Sequence, residues 1–188
     1  MASLILHPTS MAQWYALLYE AQQSASIHLQ EDLESYLVFL LMRYTQQPDM
    51  ANSVLGLEFL HSYQSAQTIN QPLLLKDVGD KCLLYAGLFP GRAKKRRVKI
   101  SYFVKLGQTA YSTLSNYEPS QEALFIRLCH EFPQLMDVLH ATRDASPTAN
   151  DLLDAIELWQ ETGSRRAFKQ LSSLTASLPA AITSKKSH

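Results

Sequence analysis

The sequence predicts an all-α fold, an irregular orthogonal or up-down bundle of about seven or eight helices, and three observations lead there. Leucine occurs 30 times, against 13 for isoleucine and valine together. Unbranched side chains keep rotamer freedom in a helix while β-branched ones lose it. Glutamine occurs 14 times and glycine only six, a balance that suits helices more than strands and tight turns. Apolar residues recur at spacings of three and four, with capping residues and prolines at the breaks. A chain of 188 residues is long enough for one sizeable core without staples. Residues 1–178 read as a single helical domain and 179–188 as a flexible tail.

Ser10-Met11-Ala12-Gln13 has the spacing of a capping box, so a helix follows over about Met11 to Ser24, with Trp14, Leu17 and Leu18 on its apolar side. A second helix is expected from His28 to Gln47, ending before Pro48, because proline disfavours helical geometry in its predecessor. Leu29, Leu33, Leu37, Leu40, Leu41 and Tyr44 give it one buried face. Glu31, Asp32 and Glu34 stand near its amino end, where the helix dipole favours negative charge. Asp49 can cap a third helix over Met50 to Gln67.

Asn70-Gln71-Pro72 opens a fourth helix, with proline in the first turn, where its missing amide costs nothing. It continues through Leu74, Val78, Cys82 and Tyr85, with Gly79 as a place to kink, and ends at Pro90-Gly91. From Arg97 to Ser115 the set Ile100, Phe103, Val104, Gly107, Ala110, Tyr111 and Leu114 has a helical period. Gly107 and Ala110 share a face, which lets another helix approach closely. Pro119 opens the next helix, and Pro133 must kink it or divide it in two. Leu124, Leu128, Leu135, Met136 and Leu139 supply the core on both sides. Thr148 with Asp151 makes a second capping box ahead of Leu152, Leu153, Ile156 and Trp159. Gly163 then Ser164 read as a C-cap and an N-cap, so the last helix covers Arg165 to Ser177.

Seventeen basic and 17 acidic side chains cancel, which argues against a wholly basic or wholly acidic binding protein. One segment departs from that balance. Between Arg92 and Lys99 six of eight residues are basic, namely Arg92, Lys94, Lys95, Arg96, Arg97 and Lys99, while the rest of the chain has a net charge of minus six. Like charges this dense repel one another, and those at the amino end of a helix oppose its dipole. Solvent and salt can offset the cost in a solvated loop. A polyanion can offset it too, with the lysines and arginines neutralising phosphates and Tyr102 available for stacking. So can an acidic surface, on a partner protein or on the chain's own helix 28–47. Such a segment reads backbone charge rather than base sequence. Lys94 to Arg97 also matches the loose pattern of a nuclear-import signal.

Other chemistries find less support. Glu58 with His61 and Asp137 with His140 each set a carboxylate and an imidazole three residues apart on one helix face. Two such pairs, with glutamates from further helices such as Glu20, Glu31 or Glu34, are what a carboxylate-bridged dimetal bundle uses. One pair carries Asp in place of Glu, and the further supplying helix is not evident. Gly79, Gly87 and Gly91 have no phosphate-loop spacing. Cys82 and Cys129 are far apart, without ligand spacing, and read as core thiols of a reducing compartment. Adjacent His130 points about 100 degrees away from Cys129 on a helix, which disfavours a thiol-imidazole pair. No cofactor is expected. Met1 to Pro8 lacks a basic n-region and a long apolar stretch, and no run approaches the length of a membrane span, so the expected location is cytoplasmic.

The stretch from Val78 to Pro90, followed by Ile100-Ser101-Tyr102-Phe103 and by Leu106-Gly107-Gln108-Thr109-Ala110-Tyr111, resembles a pattern in a family of mostly helical bacterial proteins of unknown function. The resemblance covers less than a fifth of the chain. It implies a bacterial, helical protein in which Asp80, Gly87, Phe89, Pro90, Tyr102, Gly107 and Tyr111 matter, as a helical hairpin whose turn presents the basic run or as a signature of the fold alone. The leading expectation is a non-enzymatic interaction or regulatory protein that engages an acidic protein surface or a nucleic-acid backbone through the basic segment. The alternatives are a metal-dependent enzyme using Glu58, His61, Asp137 and His140, and a structural helical domain without a ligand site.

Overall fold

The computed structural model describes residues 10–47, 71–90, 98–143 and 151–176. Among them the secondary structure is all helical, an irregular bundle without strands. The chain divides into two compact units, residues 1–145 and 146–188. The expected helix at 50–67 and the tail at 179–188 lie outside the described residues.

Among the described residues of the first unit there are six α-helices: α1 (Ser10–Ala25), α2 (Glu31–Gln46), α3 (Gln71–Leu88), α4 (Ile100–Tyr117), α5 (Glu122–His130) and α6 (Phe132–Ala141). Helix α1 ends where Ser26 adopts a positive φ of 56°, and the amide of Ile27 bonds back to the Gln22 carbonyl at 3.0 Å. Helix α2 starts three residues later than its apolar pattern predicts. The buried side chain of Gln22 captures the Leu29 amide at 2.8 Å, which holds residues 27–30 as a connector with Ile27 and Leu29 in the core. Glu31, Asp32 and Glu34 therefore form the first turn itself, the place where their charge is most favourable.

Helix α3 begins at Gln71, with Pro72 in its first turn, and runs unbroken through Gly79. Its core face is Leu75, Val78, Cys82 and Tyr85; Leu74, the expected core position, is exposed. Helix α4 begins after Lys99, later than predicted, so the basic segment stops short of the helix. Pro119 opens a single 3-10 turn, Pro119–Gln121, and the chain then divides at Glu131 into α5 and α6, which resolves the two options that Pro133 leaves. Helix α3 packs between α4 and α6, and α1 packs on α2 and α6. The core between them is built of Leu18, Leu33, Leu37, Leu83, Leu84, Leu114 and Leu128 around the rings of Tyr85, Tyr111, Phe125 and Phe132, all fully buried.

The described residues of the second unit form two helices, α7 (Asp151–Thr162) and α8 (Arg165–Ala176). Gly163 takes the left-handed conformation at φ 72°, as a helix-ending glycine should, and its amide bonds to the Trp159 carbonyl at 2.9 Å. The Ser164 hydroxyl accepts the Ala167 amide at 3.1 Å, so this residue caps α8 as its sequence position predicts. Ala155 and Ala167 are buried here, whereas Trp159 is exposed and packs on the more open Phe168 with ring centroids 5.3 Å apart. Among the described residues no helix is long and apolar enough to cross a membrane.

Candidate functional site

Helices α3 and α4 form an antiparallel pair, and three contacts give its register. Gly79 meets the ring of Tyr111, Cys82 meets Gly107, and Tyr85 stacks on Phe103 with centroids 5.2 Å apart. Each step of one turn forward on α3 is one turn backward on α4. Two of these contacts exist because a side chain is missing. A Cβ on Gly79 would lie 2.6 Å from Tyr111 Cε1, and one on Gly107 would lie 2.4 Å from Phe132 Cε2 and 2.9 Å from Cys82 Cβ. The close approach that Gly107 and Ala110 predict is therefore present, with Phe132 of α6 filling the space as well. Gly87 does the same for Leu139 of α6, whose Cβ would be 2.6 Å away.

The polar centre of the pair is Asp80. Its side chain is buried, yet all four acceptor positions of the carboxylate are taken. Oδ1 accepts from the Tyr36 hydroxyl at 2.5 Å and the Tyr111 hydroxyl at 2.9 Å; Oδ2 accepts from Arg43 Nη1 at 3.1 Å and Lys76 Nζ at 3.0 Å. Tyr36 and Arg43 are two turns apart on one face of α2, which is how both reach the same carboxylate. Arg43 also donates through Nη2 to Asp77 at 2.5 Å, and Asp77 in turn pairs with Lys81 at 2.7 Å. Lys76 stands 5.0 Å over the Tyr36 ring. Burial first, and then the charge of Asp80, push both phenols well above the ordinary tyrosine value of 10.0. A carboxylate saturated in this way has no lone pair left for a substrate or a metal ion. Its chemistry is to fasten α2 and α4 to α3.

The hairpin joins its two helices through residues 89–99. Helix α3 closes at Leu88, with the Phe89 amide bonded to the Tyr85 carbonyl at 3.2 Å and the Phe89 ring 5.6 Å from that of Tyr44. Arg92, Lys94, Lys95, Arg96 and Arg97 lie outside the described residues. Lys99 is exposed and extended, at φ −69° and ψ 144°, just before α4. Its side chain makes no capping bond, and the first turn of α4 holds no acidic residue. Tyr102 is 44% exposed, edge-on to Phe103 at 5.4 Å and 77°. Phe103 is itself buried against Tyr85, so Tyr102 has a rigid support.

Of the carboxylate-imidazole pairs, Asp137 is buried in α6 and His140 is half-buried, while Glu58 and His61 lie outside the described residues. Among the described residues no three histidine, cysteine, aspartate or glutamate side chains come close enough together to hold a metal ion. Cys82 is buried in the core, and Cys129 is a half-buried free thiol whose burial pushes it up from its ordinary value. The acidic first turn of α2 is partly satisfied: Arg127 of α5 donates to Asp32, beside a shallow open depression lined by Gln30, Glu31, Asp32, Ser35 and Arg127.

Sequence reasoning missed one feature of the basic region. From Lys81 to Tyr117 there are 37 residues without a single aspartate or glutamate, and eight of them are basic. The acid-free interval thus extends through the whole of α4, where Lys105 is exposed one turn beyond Tyr102. A count of acids alone, rather than of bases, would have found it. Tyr36 and Arg43 were missed as well, because only the fold brings α2 to Asp80. Comparison of the chain with models of known families, with characterised proteins and with solved structures finds no match.

Proposed function

We propose that this is a bacterial, cytoplasmic, non-enzymatic interaction protein that engages a polyanion, either a nucleic-acid backbone or an acidic protein surface, through the connection between α3 and α4 and the start of α4. The observation that carries the reading is the acid-free interval of Lys81 to Tyr117, which coincides with a hairpin locked by glycine notches and the Asp80 cluster. Among the described residues, Arg43 and Lys76 pair with Asp80, Arg43 and Lys81 with Asp77, and Arg127 with Asp32. The stretch after Lys81 brings seven cations and no anion of its own. It also meets an uncapped helix start that carries the positive end of a dipole. An anion bound there relieves both sources of repulsion.

The test is a comparison of wild type with a Lys95→Glu, Arg96→Glu variant at low and moderate salt, against heparin, duplex DNA, RNA and polyglutamate. Binding that is strong in low salt, weak in moderate salt and abolished by the variant is the expected result. Equal binding of every polyanion by the two proteins, with the fold intact, would leave the basic segment as a solvated connection.

A further inference from the structure

We infer that the pair α7 and α8 is a self-association surface, on which a second copy of this chain docks its own α7 and α8 and buries Trp159 and Phe168 between the two copies. Each helix is 12 residues long, a length at which an isolated helix is marginal in water and depends on packing. The packing within this unit is thin. Among its described side chains the buried apolar ones are Ala155 and Ala167, which add little apolar area, while the two largest, Trp159 and Phe168, are 41% and 51% exposed. Trp159 follows Ala155 by one turn of α7, Phe168 is next to Ala167 on α8, and the ring centroids are 5.3 Å apart. The rings therefore form one continuous patch beside the line where the helices meet, and half-buried Leu171 lies one turn beyond Phe168.

Charge identifies what covers the patch. Helix α7 carries Asp151, Asp154, Glu157 and Glu161 and no base, and α8 carries Arg165, Arg166 and Lys169 and no acid. A uniformly acidic or uniformly basic partner would match one helix and repel the other. A second copy matches both when a twofold axis runs along the pair, because each α7 then faces the other copy's α8. The alternative face-to-face arrangement, with the axis across the helices, sets like charges against each other. Glu157, Glu161 and Arg166 already interact within the chain. What the second copy adds is a ring of four helices of alternating sign, each adjacent to helices of opposite charge. The same axis preserves the height of the aromatic pair, so the partner's Trp159 comes over Phe168 and the partner's Phe168 over Trp159, an isologous contact of four rings.

Sedimentation equilibrium of the full chain is the test. Wild type should pass, as concentration rises, from 21.2 kDa to twice that mass. Two charge variants then probe the surface: Arg165→Glu with Lys169→Glu leaves both helices net acidic, and Asp154→Lys with Glu157→Lys and Glu161→Lys leaves both net basic. Each variant alone should raise the dimer dissociation constant on the order of 100-fold, since like charges then face each other. An equimolar mixture of the two should dimerise again, which separates a lost interface from a lost fold. Wild type that stays monomeric at every concentration overturns the inference and leaves the patch to a different partner. Variants that dimerise as wild type does, or a mixture that fails to restore the dimer, overturn it as well. A second readout leaves the surface unaltered: with Trp14→Phe, Trp159 is the one remaining tryptophan, and its emission should shift to the blue as the dimer forms. Doubling of the mass with no change in that emission would put the contact elsewhere on the chain and refute the assignment.

Discussion

At the scale of single residues the most informative is Asp80, a carboxylate buried in the middle of α3. Burying it without partners would be costly, and removing one partner of a buried charge usually costs more than the pair contributes. Here two phenols and two cations satisfy it, and both cations keep contact with solvent, at 38% exposure for the Arg43 side chain and 35% for Lys76. Of the phenols, Tyr111 is fully buried and Tyr36 half-buried. Their folded-state ionisation is raised above that of the unfolded chain, by burial first and by Asp80 next. The folded protein therefore holds two protons that the unfolded chain releases near pH 10.0, and stability must fall as pH rises past that value. Below it these two groups contribute no slope. An alkaline titration followed by tyrosinate absorbance should show two late ionisations that coincide with loss of helix, and Tyr36→Phe and Tyr111→Phe should each remove one. Ionisation of both groups at the ordinary tyrosine value, with the helices intact, would contradict the buried cluster.

At the scale of elements, α3 and α4 are held at a distance that glycine alone permits. Replacing Gly107 with alanine adds a methyl group 2.4 Å from the fully buried ring of Phe132. The substitution would stabilise an isolated helix by about 1 kcal/mol. In the bundle overpacking should prevail, because Phe132 is fully buried, and a net loss of roughly 1 to 3 kcal/mol is expected from denaturant unfolding. A gain in stability would mean that the helices are further apart than described. This element was legible in the sequence: Gly107 and Ala110 on the face of Phe103 and Tyr111 predict the close approach. So were the breaks at Pro133 and Gly163, since local chemistry alone determines both. The start of α2 was not, because its position depends on the Gln22 side chain seven residues from Leu29. Nor was most of the Asp80 cluster legible from spacing, for three of its four partners lie 44, 37 and 31 residues away along the chain. The visible sign was Lys76 one turn before Asp80, the only one of its four partners that helical spacing brings to it.

At the scale of the whole molecule, neutrality conceals segregation. The 17 acids all lie outside residues 81–117, and the eight bases within that interval face none in sequence. A protein with this distribution has no net charge to steer a polyanion from afar at physiological salt, where screening is short-ranged. Affinity must then come from contacts made after encounter, chiefly the release of counterions from neutralised phosphates. Lys81 pairs with Asp77, and the other basic residues of the interval are Arg92, Lys94, Lys95, Arg96, Arg97, Lys99 and Lys105. Each phosphate neutralised on a single strand contributes about 0.7 to the slope of log affinity against log salt, so full engagement of these residues corresponds to a slope of about −5. Replacing Lys95 and Arg96 by alanine should make the slope shallower by about 1.4, because two fewer phosphates are then neutralised. A slope near zero in wild type would show that binding does not depend on counterion release.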